Sequence, residues 1–81
     1  MLNLYVIDHC PYCNKVRSFI KEKSLDVNLI FAPRGTENRE KMLKLGGKHQ
    51  VPFLHDTTSN ITMYESMDII EYLAEHYVEK N

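Results

Sequence analysis

The strongest constraint on how this chain can fold is a break at Asp8–Pro11. Ahead of it, Leu2–Ile7 (LNLYVI) is short, apolar and β-rich, which predicts a buried strand. Pro11 suits the first turn of a helix, where no backbone N–H is needed. Val16, Phe19, Ile20 and Ser24 then follow at helical spacing, with Lys15, Arg17, Lys21 and Lys23 mostly on other faces. A helix is expected over 11–24. A buried strand that runs straight into an amphipathic helix commits the chain to a layered α/β arrangement.

The remaining pattern completes that arrangement. Val27–Phe31 (VNLIF) predicts a second strand, and Pro33-Arg34-Gly35 a loop. Thr36 is placed to cap a helix carrying Met42, Leu43 and Leu45, which stops at Gly46-Gly47. Pro52–His55 and Ile61–Tyr64 predict two short strands. Asp56–Asn60 between them has turn chemistry, so the two should form an antiparallel hairpin. A last helix is expected from Ser66 to about Val78, burying Ile69, Ile70, Leu73 and Tyr77 and turning Glu71, Glu75 and Glu79 to water. Met42, Leu43, Phe53, Ile69, Ile70 and Leu73 are the expected core. The order is βαβαββα. Its first βαβ unit should hold parallel strands. The expected fold is α/β: a four-stranded mixed sheet flanked by three helices.

The 81 residues suffice for one domain, expected to span 1–81. A formal net charge of −1 gives no broad footprint for nucleic acid or an anionic membrane. No apolar run approaches the ~20 residues that span a bilayer. Leu2–Ile7 is too short for a signal-peptide core and has no basic region before it. The expectation is a cytoplasmic monomer with neither nucleic-acid nor membrane partners.

The chemistry sits at the break itself. Cys10-Pro11-Tyr12-Cys13 contains the chain's two cysteines. At a helix N-terminus, unpaired N–H groups and the helix dipole stabilise an anion, so Cys10 should favour its thiolate form and act as a nucleophile. Cys13 lies one turn further along on the same side, within reach of a disulfide to Cys10. His9 stands directly before the pair. A zinc site is the alternative for a lone Cys-x-x-Cys, but four ligands are usual and His9, His49, His55 and His76 show no finger-like spacing. No metal is expected. Two inert buried cysteines are the other alternative, and an exposed helix tip at Cys10 argues against it.

Two further motifs stand out. Pro52 after Val51 cannot donate to a ladder and belongs at a strand start or edge. Glu65-Ser66 precedes the last helix, where Ser66 reads as an N-cap and Glu65 as a complement to the dipole.

Together, YVIDHCPYCNKVR, KHQVPFL and YESMDIIEYL resemble the glutaredoxin family, in particular the N-terminal domain of its bacterial glutaredoxin 2 type, which is built like a glutathione transferase. The resemblance runs over essentially the whole chain in the same motif order and implies a thioredoxin fold. Two departures accompany it. That type carries a second, all-helical domain, so this module is expected either to stand alone or to be part of a longer chain. Ordinary single-domain glutaredoxins use a Gly-Gly-x-Asp-like segment where this sequence has Tyr64-Glu65-Ser66.

The resemblance implies a glutathione-dependent oxidoreductase that reduces protein disulfides and glutathione-mixed disulfides. Cys10 is then the nucleophile, Cys13 the resolving thiol and glutathione the co-substrate; the partners are disulfide-containing or glutathionylated proteins. It implies a cis Val51–Pro52 bond, with the Val51 backbone pairing the cysteinyl backbone of glutathione. It also implies that Ser66 and the helix N-terminus take the γ-glutamyl carboxylate and Glu65 its ammonium. Tyr12 would line the groove. Gln50 and Lys48 either meet the glycyl carboxylate or are solvated loop residues. Rival readings are an electron donor served by a thioredoxin reductase, an iron–sulfur carrier bridged through Cys10, and a glutathione transferase fragment. In the family the cluster role goes with a CGFS motif, which Pro11 and Tyr12 replace here.

Overall fold

The computed structural model describes residues 1–78. Its elements run β1 (Leu2–Val6), α1 (Pro11–Glu22), β2 (Asn28–Phe31), α2 (Glu37–Gly46), β3 (Phe53–Asp56), β4 (Ile61–Met63) and α3 (Ser66–Tyr77). The sheet order is β2-β1-β3-β4. β1 and β2 are parallel, pairing Leu4 with Leu29, whereas β3 lies antiparallel to both β1 and β4. This is the expected mixed sheet, a thioredoxin fold.

Strand alternation divides the core between the two faces of the sheet. Leu2, Leu4 and Val6 of β1 and Leu54 of β3 pack with Val16 of α1 and with Ile69 and Leu73 of α3. Tyr5 and Phe53, one residue out of phase, pack on the opposite face with Met42 of α2 and with Ala32, which directly follows β2. Two helices therefore cover one face and a single helix the other. Leu43 and Ile70, expected in the core, are only half-buried.

Helix ends follow local chemistry. Thr36 accepts a hydrogen bond from the Arg39 N–H at 3.3 Å, as an N-cap does. Gly47, at φ 85°, closes α2 in the left-handed region and donates its N–H to the Leu43 carbonyl at 2.8 Å. α1 stops two residues short of the expected 24. Ser24 turns left-handed at φ 53°, and the Leu25 N–H bonds back to the Ile20 carbonyl at 3.0 Å. α3 ends at Tyr77, and the water-facing position expected for Glu79 lies outside the described residues.

Asp56, expected in the hairpin turn, is instead the last residue of β3 and only 1% exposed. Its carboxylate accepts from the Tyr72 and Tyr77 hydroxyls at 2.6 and 2.5 Å, and from the Thr58 N–H at 3.1 Å. Burial alone would raise its pKa, but these bonds and one from Ser59 outweigh it and hold the carboxyl at about 2. Tyr77, expected as part of the apolar stripe, is 39% exposed and spends its hydroxyl on this anchor. Turn-forming residues are also good acceptors, and a partner distant in sequence decides which role prevails.

Candidate functional site

β1 delivers the chain to a turn at Asp8-His9, where His9 takes a left-handed φ of 56°, a region that His enters more readily than bulkier residues. Cys10 follows as the N-cap of α1. Its carbonyl accepts the Asn14 N–H at 2.9 Å, and its Sγ accepts the Cys13 N–H at 3.2 Å. A sulfur thus occupies the place a serine or aspartate oxygen takes in an ordinary cap. Pro11 holds the first helical position.

The cysteines are free thiols. Cys10 is less open than its place at a helix tip suggests: it is 8% exposed, packed in the cluster that holds Val6 and Val16, with Val51 against it. Cys13 is fully buried. Burial, first, and a hydrogen bond with Cys10 push the Cys13 thiol up to about 12; opposing pulls from the Ile7 backbone and Arg17 do not outweigh them. The two sulfurs are therefore inequivalent, with Cys13 keeping its proton through the neutral range.

Beside the pair lies a groove of about 440 Å³ lined by Tyr12, Gln50, Val51, Pro52, Tyr64, Glu65, Ser66 and Met67. Six of the nine residues singled out in the sequence meet there: Tyr12, Gln50, Val51, Pro52, Glu65 and Ser66. The Val51–Pro52 bond is cis. Tyr12 is 62% exposed on one wall. The Gln50 side-chain amide donates to a Glu65 carboxylate oxygen at 3.2 Å, tying the loop before β3 to the start of α3.

One expectation needs correction. Ser66 is not the N-cap of α3. Glu65 holds that place without a side-chain cap bond, and Ser66 is the first helical residue, 7% exposed. The helix starts one residue earlier than its cap chemistry suggests, and the Glu65 carboxylate is bonded to Gln50 instead of capping. Lys48, left open between a glycyl-carboxylate contact and a solvated loop residue, is exposed and outside the residues that line the groove. Its ammonium stands 5.7 Å from the centre of the Tyr64 ring, and its backbone bonds the Tyr64 hydroxyl. Tyr64 carried no role in the sequence reading, although its place directly before Glu65-Ser66 was the available signal.

Among the described residues no cluster of three or more His, Cys, Asp or Glu side chains has the arrangement to hold a metal ion, and no helix is long and apolar enough to cross a membrane.

The family described as "Glutathione S-transferase, N-terminal domain" matches residues 4–81, and the chain belongs to it. Within that class the chain is similar to glutaredoxin 2 of Escherichia coli, at 38% identity over 98% of this chain and 33% of the relative. The chain therefore spans about a third of that curated relative's length. Among solved structures, glutaredoxin 2 of Salmonella typhimurium in complex with glutathione superposes with a TM-score of 0.78 at 28% identity, covering 100% of this chain and 38% of that one. A delta-class glutathione transferase of Nilaparvata lugens superposes at 0.84 with 27% identity, covering 99% of this chain and 38% of that one.

Proposed function

We propose that the protein is a glutathione-dependent thiol–disulfide oxidoreductase in which Cys10 attacks and Cys13 resolves. The observation that carries this reading is the inequivalent thiol pair: one sulfur at the helix cap receiving the Cys13 N–H, the other fully enclosed one turn behind it, its thiol pushed up by burial. A helix N-terminus favours a negative sulfur, and a protonated neighbour adds a second donor. The groove beside the pair supports glutathione as co-substrate, as does the glutathione complex of the Salmonella relative.

The Cys10 thiolate attacks the glutathione sulfur of a mixed disulfide. A Cys10–glutathione bond forms, and the target's thiolate leaves and takes a proton. A second glutathione thiolate then attacks the glutathione sulfur held on Cys10, releasing glutathione disulfide and the Cys10 thiolate. With a protein disulfide, Cys10 first forms a mixed disulfide with the target. One target thiolate leaves in that step. Cys13 then gives up its proton and attacks the Cys10 sulfur, breaking the Cys10–target bond, releasing the second target thiolate and closing the Cys10–Cys13 disulfide. Two glutathiones reduce that disulfide with release of glutathione disulfide. Glutaredoxins in general are poised at about −200 to −230 mV, within reach of the glutathione pool.

The tripeptide spans the groove. The Val51 backbone pairs with its cysteinyl backbone. The α3 N-terminus and Ser66 face its γ-glutamyl carboxylate, and Glu65 its ammonium. Gln50 and Tyr12 complete the walls.

An assay coupling the protein to glutathione, glutathione reductase and a mixed-disulfide substrate tests the reading. Turnover should require both glutathione and the protein. Turnover with a thioredoxin reductase and none with glutathione would overturn it, as would conjugation of an aryl halide to glutathione without any disulfide reduction.

A further inference from the structure

We infer that Tyr64 is a positioning residue that sets the spacing of the two groove walls and thereby the affinity for glutathione. The inference deepens the function proposed above and rests on it.

The Tyr64 hydroxyl makes a two-way clamp on one residue, Lys48, of the loop between α2 and β3, holding the peptide units on either side of it. It accepts the Lys48 N–H at 2.9 Å and donates to the Lys48 carbonyl at 3.0 Å. Its ring packs on Phe53, 4.6 Å between centroids, and Phe53 is fully buried at the start of β3. On the other side is Gly46, the last residue of α2. A Cβ there would collide with the Tyr64 hydroxyl and stand 2.6 Å from Phe53 Cε1. Glycine at 46 is what lets the hydroxyl reach the loop.

Tyr64 is also bonded along the chain to Glu65, whose carboxylate receives Gln50. Two rungs, Tyr64–Lys48 and Glu65–Gln50, thus join the wall carrying Val51 to the wall carrying Ser66. The outer rung uses backbone on the loop side. It fixes where the chain starts toward Val51 without touching either thiol. Loss of this rung should loosen ligand binding and leave the sulfur chemistry alone.

Tyr64→Phe keeps the ring and removes the clamp. In the mixed-disulfide assay, the KM for glutathione should rise roughly five- to tenfold, as expected for two ordinary hydrogen bonds, with kcat within about twofold of the parent. Hydrogen exchange at the Lys48 amide should accelerate. A KM unchanged alongside faster Lys48 exchange would overturn the positioning role, as would a fall in kcat at constant KM. Should the variant not fold, the unmodified chain decides: saturating glutathione should slow Lys48 exchange, and no change there overturns the inference. A parent protein with no glutathione-dependent turnover would instead refute the function itself, so the two failures are distinguishable.

Discussion

At the residue scale, each cysteine has a fate written by its depth. Cys10→Ser should abolish all thiol exchange, because a hydroxyl is not ionised near neutral pH. Cys13→Ser should keep much of the activity on glutathione-mixed disulfides, where free glutathione completes the cycle, and lose most of it on protein disulfides. Initial rates on the two substrate types check this, and a Cys13→Ser protein dead on mixed disulfides would reverse the assignment. The groove residues divide similarly. Glu65 is exposed and makes no cap bond. Glu65→Ala should therefore change stability by less than about 1 kcal/mol and raise the glutathione KM about tenfold or more, the size of a lost charge-assisted bond. Thermal unfolding and KM measured on one preparation separate the effects. The cysteines, the Val51–Pro52 step and Glu65-Ser66 were legible in the sequence because each is a contiguous motif. The Gln50–Glu65 and Tyr64–Lys48 bonds were not, since they join residues 15 and 16 positions apart through a fold that places them face to face.

At the scale of elements, the hairpin and the last helix are joined by a buried carboxylate. Register opposes Asp56 to Leu2, at the other end of β1 from the turn into Cys10. From there its carboxylate reaches Tyr72 and Tyr77 and pins the end of α3 to the sheet. A carboxyl held at about 2, against an ordinary 3.8, stabilises the fold fully at pH values above the ordinary figure. That stabilisation, about 2 kcal/mol by linkage, is lost as pH falls from about 4 through 2. The partner hydroxyl of Tyr77 is pushed up to about 12, first by its bond to Asp56 and then by burial, so its share is lost only as pH rises from 10 through 12. Asp56→Asn should lower the stability at pH 7 by about 1–3 kcal/mol. Denaturant melts from pH 7 to 2 should show the parent and the variant converging toward the acid end. A constant gap across that range would remove the carboxylate from the account. Periodicity and caps gave the elements within a residue or two, but a turn signal alone did not reveal that Asp56 faces inward.

For the whole molecule, the decisive fact is the unequal cover of the sheet. A domain of this length buries only about 60–65% of the surface its unfolded chain exposes, so the loss of any one layer is felt. One face carries α1 and α3, whose Val16, Ile69 and Leu73 pack over Leu2, Leu4, Val6 and Leu54 of the sheet. The other carries α2 alone, with Met42 over Tyr5, Ala32 and Phe53. With fewer buried apolar groups, α2 should be the first helix to open. Its C-terminus leads through Gly47 into the loop bearing Gln50 and Val51, so its opening would release one wall of the groove while the thiol pair stayed on the better-packed face. Arg39, almost fully buried, restrains it by donating from Nε to the Ala32 carbonyl at 2.8 Å. Native-state hydrogen exchange in low denaturant should find the α2 amides, Met42 among them, exchanging by a smaller opening than those of β1, α1 and α3. Glutathione should narrow that gap by binding only the closed groove. If the amides of α2 and β1 open together at one free energy, with and without glutathione, the two faces unfold as a single unit and the groove wall has no independent motion.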